Sequence, residues 1–461
     1  MSLRQFMSLR PLTRTLTAMK NTVVHGWSET ARVLGLQEDL YVNPLHRPLA
    51  QPVRAVLLGA GHRGSIYADF AAKNPAELKL VAVADPNPRR RLRTARAHGI
   101  PDERCFVTWD AAMAQPDLKQ LADAVIIAMP DHLHTVPCLQ ALDQGLDVLL
   151  EKPIAPTEAE CRQILDRARS TGRIVGVCHV LRYTPYFREI KEIIDAGLIG
   201  QVISVQHLEP IEHVHMSHSY VRGAWRNSDD ATPIILAKSC HDTDIIRWLV
   251  GQHADNVHCF GNLKWFHNAN APEGSTERCT DGCKVEGQCP YSALQIYYRD
   301  RKRLYVFDLP EDRSRWDELI MDGLKTTDYG RCVYRMDNNQ PDHLTVNILF
   351  REGVTAAFSM EAFVSYEGRR TRVMGSLGDI TGDMESFTLT TFKTGKRSTW
   401  TMKTDAHGGG DHPMVRDWVQ AVGQKNPALL SSSIEDSVES HLMAFAAERS
   451  RLQRTIEDVR L

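Results

Sequence analysis

The stretch "VRAVLLGAGHRG", Val53 to Gly64, runs an apolar strand directly into a cluster of glycines. Gly59, Gly61 and Gly64 satisfy G-x-G-x-x-G. In that pattern the first glycine suits a tight turn, the second lets backbone approach a pyrophosphate, and the third permits close contact between helix and strand. A helix starting near His62 turns its free N–H groups and the positive end of its dipole toward a phosphate. Alone, the motif is equally compatible with a plain glycine turn.

The flanking segments favour the nucleotide. A second apolar strand, "LKLVAVAD", ends at Asp85, a little beyond the usual interval of about 20 residues for the acid that binds the adenine ribose. Such a carboxylate repels a 2′-phosphate and so favours NAD over NADP. Arg89, Arg90 and Arg91 follow, and one of them could stack on adenine or hold that phosphate. Apolar runs and helices then alternate: "DAVIIAMP", a helix from about Asp131 to Gly145, "LDVLLEKP", a helix from about Thr157 to Thr171, and "RIVGVCHVLR". This predicts a parallel, doubly wound α/β sheet whose strands are buried on both faces. Ligands of such sheets gather beyond the carboxyl ends of the strands. Met129, Pro130, Glu151, Lys152, His179 and Arg182 all fall there.

With 461 residues the chain exceeds what one core usually supports. The reading is an extension over 1–50, a nucleotide-binding unit over 51–180 and an α+β unit over 181–461. Lys plus Arg, 55, nearly balances Asp plus Glu, 57, so no field advertises nucleic acid or an anionic membrane. The ten cysteines lie mostly in apolar segments and read as reduced core residues. The basic start lacks the apolar region of a secretory signal, and no run reaches membrane-spanning length. A cytoplasmic protein handling small molecules is expected.

Lys152 leaves an apolar strand toward the nicotinamide end of the groove, where a partly buried ammonium can orient a substrate hydroxyl or share in its proton transfer. At this point "GAGHRG", "AMPDHLH" and "EKP", in this order and spacing, resemble the Gfo/Idh/MocA family of glucose-fructose oxidoreductase, inositol dehydrogenase and their relatives. The resemblance covers roughly residues 53 to 455. It implies a Rossmann domain followed by a domain with a large, mostly antiparallel sheet, which carries the substrate site and often an oligomer interface. It implies NAD(P)-dependent oxidation or reduction of sugars and polyols, with Lys152 beside substrate and nicotinamide. It also adds His62, Arg63 and His134 to the cofactor contacts and matches "LRYTPYFREIKEIIDAGLIGQV" to the crossover between domains, with Arg182 and Pro185 at characteristic places.

In "PIILAKSCHDTDIIRWLVG", residues 233–251, Asp242 or Thr243 could cap a helix that leaves its charges on a solvated face. Many relatives read D-x-G-x-H-x-x-D here. His241 and Asp244 take the last two places, but Ala237 stands where the first aspartate belongs, with Lys238 beside it. His241 is assigned as general acid/base and Lys152 as its companion; Lys238 is assigned to substrate. Another cluster, "EPIEHVHMSHSYVRGAWRN", suggests sugar contacts through His215, His218, Trp225 and Arg226. On a strand, His213 and His215 would share a face, but no carboxylate is placed to complete a metal site. Cys279, Cys283 and Cys289 form C-x3-C-x5-C within an insertion; zinc requires a fourth ligand that the sequence does not identify. No metal is assigned. "TVNILFREGVTAAFSM" reads as a hairpin turning at Glu352 and Gly353. His407, Asp411 or His412 in "DAHGGGDH" fit a flexible turn and a pocket wall equally well. The last helical segment packs back on the body without evident chemistry.

The functional expectation is a homo-oligomeric NAD(P)-dependent oxidoreductase acting on a sugar, polyol or glycoside. Two alternatives stay open: a glycosidase that retains its NAD and shows no net redox change, and a nucleotide or sugar sensor without turnover.

Overall fold

The computed structural model describes residues 43–402 and 406–460; the expected N-terminal extension lies outside the described residues up to position 42. Six apolar segments form a wholly parallel sheet: β1 (Val53–Leu58), β2 (Leu78–Ala84), β3 (Cys105–Phe106), β4 (Ala124–Ile127), β5 (Asp147–Leu150) and β6 (Val175–Val177). Their order is β3-β2-β1-β4-β5-β6. Every residue of β4 and β6 is buried, as expected of strands covered on both faces. Helix α1 (His62–Lys73) follows β1, and α2 (Pro88–His98) follows β2. The strand order reverses between β1 and β4, which opens the crevice where doubly wound sheets take ligands.

Two glycines of the first motif are required by contact. Gly59 has φ +91°, and a Cβ there would lie 2.4 Å from the Ala128 carbonyl oxygen. A Cβ on Gly64 would lie 1.9 Å from the carbonyl oxygen of Gly59, so α1 and the loop meet backbone to backbone. At Gly61 a Cβ would meet only Arg90 Nη1, at 3.8 Å.

The second sheet has nine strands: β7 (Val202–Pro210), β8 (Ala254–Asn262), β9 (His343–Phe350), β10 (Thr355–Glu361), β11 (Arg370–Gly375), β12 (Gly378–Gly382), β13 (Ser386–Thr391), β14 (Arg397–Thr401) and β15 (Glu457–Asp458). They run in the order β14-β13-β12-β11-β7-β10-β9-β8-β15, and all neighbours are antiparallel except β7 and β10. β9 alternates buried and exposed residues strictly, so one face meets the core and the other lies open. The open face exposes Phe260 and Leu349. β9 and β10 form the expected hairpin, with Gly353 at φ +82° in its turn.

Helix α3 (Cys240–Val250) packs against β7, while α4 (Asp411–Gln424) and α5 (Ile434–Gln453) return to the body. α5 packs along β8 and α3. α4 completes the core of the first sheet, where Met414, Val415, Trp418 and Val419 join residues of β1, β2 and β4. The segment 181–461 therefore does not stay with the second sheet: its later part returns to cover the first. Among the described residues no helix is long and apolar enough to cross a membrane.

Two local expectations are corrected. Ser239, not Asp242 or Thr243, precedes the first turn of α3, and Asp242 and Asp244 are fully buried rather than solvated. Both aspartates are drawn inward by buried arginines, described below. His213 and His215 lie on a helical turn, His213–Met216, where Glu212 accepts the His215 N–H through its side chain. Residues two apart on a helix do not share a face, so the supposed H-x-H pair dissolves.

Trp418 is fully buried and its indole N–H donates to the Val148 carbonyl at 3.0 Å. A Cβ on Gly176 would lie 2.8 Å from its ring, so the indole is fitted to a glycine on β6. Trp418→Ala is expected to lower unfolding free energy by about 3–5 kcal/mol, read as a fall in the urea midpoint at unchanged slope.

Candidate active site

The glycine loop and the end of β2 are joined by Asp85, whose carboxylate accepts the Ala60 N–H at 2.7 Å and the Asn87 N–H at 2.8 Å. Asn87 in turn caps α2, accepting the N–H groups of Arg89 and Arg90. Arg89 and Arg90 do not face an open groove alone. Arg90 pairs with Asp308 at 2.8 Å, and Arg89 donates to the Asp308 carbonyl at 3.3 Å. Asp308 ends a short turn, Leu304–Phe307, flanked by left-handed backbone at Arg303 and Asp308. Tyr305 on that turn stacks on His62 with ring centroids 5.2 Å apart and planes 15° apart. No local signal near Tyr305 announces this strap across the glycine loop.

At the exit of β5, Glu151 is buried and accepts from Arg63 at 2.6 Å and from the Tyr67 hydroxyl. Burial raises the Glu151 carboxyl's affinity for protons, but the charges of Arg63 and Lys152 outweigh it and hold the carboxyl below its ordinary value. Arg63 also pairs with Asp411 at 2.7 Å. Asp411 thus belongs to the support of α1, and His412 pairs with Asp69 at 3.2 Å; the His407 side chain lies outside the described ones. His134 is buried with both ring nitrogens on backbone carbonyls, Nδ1 on Pro153 at 2.8 Å and Nε2 on Met129 at 2.9 Å. It ties the exits of β4 and β5 together and leaves no ring nitrogen for a cofactor, contrary to expectation. Arg182 differs likewise: it is 1% exposed, grips Asp244 through Nε and Nη2 at 2.7 and 2.6 Å, and gives Nη1 to Ser431. Both residues act on the groove through the backbone they hold.

Lys152 and His241 are brought together. Lys152 Nζ donates to the Ala237 carbonyl at 2.8 Å, so backbone oxygen meets the ammonium at the position where the resembling sequences carry an aspartate. His241 sits in the first turn of α3, partly exposed, with Nδ1 lacking a partner among the described residues. Burial, then the charge of Lys152, then His179 and Arg369, push its pKa well below the usual histidine value. The ring is therefore neutral near neutral pH. Two more histidines back it. His179, at the exit of β6, lies edge-on to His241 at 5.8 Å and to His441 at 5.5 Å between centroids. His441 accepts the Ile154 N–H at 3.0 Å, so α5 does carry site chemistry, by fixing the turn after Lys152.

Behind α3 runs a chain of charges. Lys238 pairs with Glu209 at 3.0 Å, Glu209 with Arg369 at 2.8 Å, Arg369 with Asp242 at 2.8 Å, and Asp242 with His207 at 3.0 Å. Glu209 and Arg369 went unread in the sequence, and Asp242 was read only as a helix cap, because the partners come from β7, α3 and the residue before β11. The histidine cluster lies beside this chain. His215 stands 3.5 Å from Glu367, and His218 faces the hydroxyls of Tyr297 and Tyr305 at 2.8 and 3.0 Å. Burial, with Arg303 and Arg222 nearby, lowers His218 to about 3. Trp225 is 39% exposed, whereas Arg226 is taken up by Asp337 and Asp328 at 2.8 and 3.3 Å.

Residues 53–179 match the oxidoreductase family with an NAD-binding Rossmann fold. The chain is 30% identical over 231 residues to inositol 2-dehydrogenase 4 of Saccharopolyspora erythraea, covering 49% of this chain and 61% of that one. It is 29% identical over 217 residues to the NAD-dependent scyllo-inositol 2-dehydrogenase of Bacillus subtilis, covering 46% and 58%. The matched part thus spans about three fifths of these relatives' length. Among solved structures, levoglucosan dehydrogenase with NADH and levoglucosan superposes with a TM-score of 0.65 at 17% identity, covering 89% of this chain and 100% of that one. An inositol dehydrogenase homologue from Azotobacter vinelandii, with NADH and myo-inositol, gives 0.64 at 16%, covering 90% and 99%. These last two establish the shared fold. The first sheet and its glycine loop therefore match the NAD-binding Rossmann unit of the Gfo/Idh/MocA oxidoreductase family, in line with the motifs.

Removing Arg369 leaves two buried carboxylates short of a cation, and breaking such a pair costs about 3–5 kcal/mol. Burial alone raises Asp242, but Arg369 and His207 bring it below the ordinary carboxylate value. Its contribution is present above the unfolded pKa of about 3.9 and lost as pH falls through the folded one. In Arg369→Met the Asp242 pKa rises instead, so the stability deficit should be smallest near pH 4 and grow toward pH 7, measured by urea unfolding across that range.

Proposed function

We propose that this chain is an NAD-dependent oxidoreductase that moves a hydride to or from the carbinol carbon of a polyol or sugar. The observation that carries the reading is the meeting of Lys152, from the exit of β5, with His241, from α3, at a partly open position beside the nucleotide crevice. The residues present fit the dinucleotide: Gly61 leaves its backbone open to close approach, and Asp85 stands at the ribose position of β2. Met129, Pro130 and Glu151 line the exits of β4 and β5 beside it. NAD, when bound, supplies the hydride acceptor.

His241, kept neutral, takes the hydroxyl proton as the carbon gives up its hydride, and Lys152 donates a hydrogen bond to the same oxygen, stabilising charge that develops there. Lys238, His215 and His218 offer donors and acceptors to further hydroxyls, and Trp225 an apolar face. Substrate class follows from this polar lining and from the inositol-acting relatives. Residues 51–180 hold the cofactor and the part from 181 onward holds the substrate. The open face of the second sheet, with its groove of about 420 Å³ lined by β7, β8, β9 and β10, is where two copies would associate.

Lys152→Met should lower kcat/KM with NAD and myo-inositol or a related polyol by roughly 10²–10⁴-fold, while NAD still binds by calorimetry. Because burial and Lys152 lower His241, the acid limb of the wild-type kcat/KM profile should lie below the ordinary histidine value of about 6.5. Absence of any reduced nicotinamide across a polyol and sugar panel, in single turnover as well, would reject hydride transfer to these substrates. Cleavage of a glycoside without net reduction would replace dehydrogenation by the redox-neutral route.

Coenzyme choice has its own test. Asp308 pairs with Arg90 at 2.8 Å, leaving that cation compensated where a 2′-phosphate would need it. Asp308→Ala should raise the NADP to NAD ratio of kcat/KM by about tenfold, equal to about 1.4 kcal/mol of differential binding.

A further inference from the structure

The cysteine insertion takes no part in the reaction proposed above. Cys279, Cys283 and Cys289 line one small cavity of about 20 Å³, and so does Cys332, from beyond the helix Trp316–Thr326. The space admits a water-sized body. The fourth thiol that the sequence left unidentified arrives through backbone pairing. Arg278 and Arg331 form an antiparallel bridge, the Cys279 N–H donates to Gly330 at 3.0 Å, and the Cys332 N–H donates to Glu277 at 2.9 Å. Cys279 Sγ accepts the Ala293 N–H at 3.4 Å, and Arg222 Nη2 lies 3.9 Å from the same sulfur.

A second observation concerns charge. Arg222 lines the same cavity and is 1% exposed. Its Nε and Nη2 donate to the carbonyls of Arg331 and Tyr291, and its Nη1 has no hydrogen-bond partner among the described residues. None of these partners is a carboxylate. Glu286, on the cavity wall, is engaged by Ser292 and Arg299. Burying a guanidinium without an anion is costly. Neutral thiols do not meet that cost, whereas thiolates around a metal do.

We propose that Cys279, Cys283, Cys289 and Cys332 form a tetrathiolate metal centre whose net negative charge is balanced by Arg222. Binding a divalent ion forms four metal–sulfur bonds and releases the four thiol protons to solvent, with no change in oxidation state. Among the described residues no three ligating side chains already surround one point, so the thiols turn inward as the metal enters. Four sulfurs around a space for one ion suit zinc. The role is structural: Arg222 ends the π-helical turn Ser217–Arg222 that carries His218, so the centre holds the histidine cluster from behind.

The test uses the full chain, purified without oxygen or added chelator. Zinc, iron and acid-labile sulfide are measured per chain, with the visible absorption spectrum. About one zinc per chain supports the single-ion site; iron with matching sulfide and visible absorption overturns it. Cys289→Ser and Cys332→Ser should each lower bound metal at least tenfold, while Cys138→Ser and Cys161→Ser, in the first core, retain it. Should the first pair fail to fold, thiol titration of the wild type decides: stripping the metal should expose four additional fast-reacting thiols, and re-adding zinc should protect them again. Metal-free protein that takes up no zinc on reconstitution, or thiols equally reactive with and without metal, overturns the proposal.

Discussion

The arrangement of the site rests on one buried ion pair. Arg182 leaves the end of β6 and grips Asp244 on α3 through two hydrogen bonds, both side chains 1% exposed. Taking two charges out of water is expensive, and planar bidentate geometry is what makes such a pair tenable. Its effect is positional. Asp244 lies one turn after His241, so the pair fixes α3 against the strand exits that present Lys152 and His179. Arg182 also reaches Ser431, which brings the lead-in of α5, and with it His441, to the same place. Three distant parts of the chain are thereby held to one geometry.

Around that pair the electrostatics divide into two layers. Lys152, Lys238, Arg369 and Arg182 surround the imidazoles of His179 and His241, and burial adds to their repulsion of any further proton. Glu209, Asp242 and Asp244 neutralise Lys238, Arg369 and Arg182 from behind, and Glu151, paired with Arg63, also feels the charge of Lys152. A cationic group close to the reacting oxygen and a neutral imidazole beside it are both useful for removing a hydroxyl proton, and the carboxylates underneath make the buried cations tenable.

The sequence made the first sheet readable because its signals are local. An apolar run, a glycine spacing and a following acid all fall within a few turns of chain, and the alternation of strand and helix repeats them. Lys152 and His241 were readable through motifs that place them at known points of such folds. The supporting residues were not. Arg369 pairs with Asp242 across 127 positions and Arg182 with Asp244 across 62, and nothing near either arginine announces its carboxylate. The aspartates of α3 resembled solvated helix charges for the same reason. His134 was misjudged from the opposite side: its motif lies at the groove, but two backbone carbonyls claim its ring. Cys332 shows the limit most plainly, since only an antiparallel bridge brings it level with Cys279.

Tyr305 touches both ends of this machinery. Its ring lies on His62 at the glycine loop, and its hydroxyl bonds His218 in the histidine cluster. A ligand that lifts the phenol from His62 therefore also withdraws a hydrogen-bond partner from His218, and a ligand that recruits His218 loosens the phenol's hold on the loop. Thermodynamic linkage makes that influence equal in both directions. One side chain thus contacts both halves of the crevice.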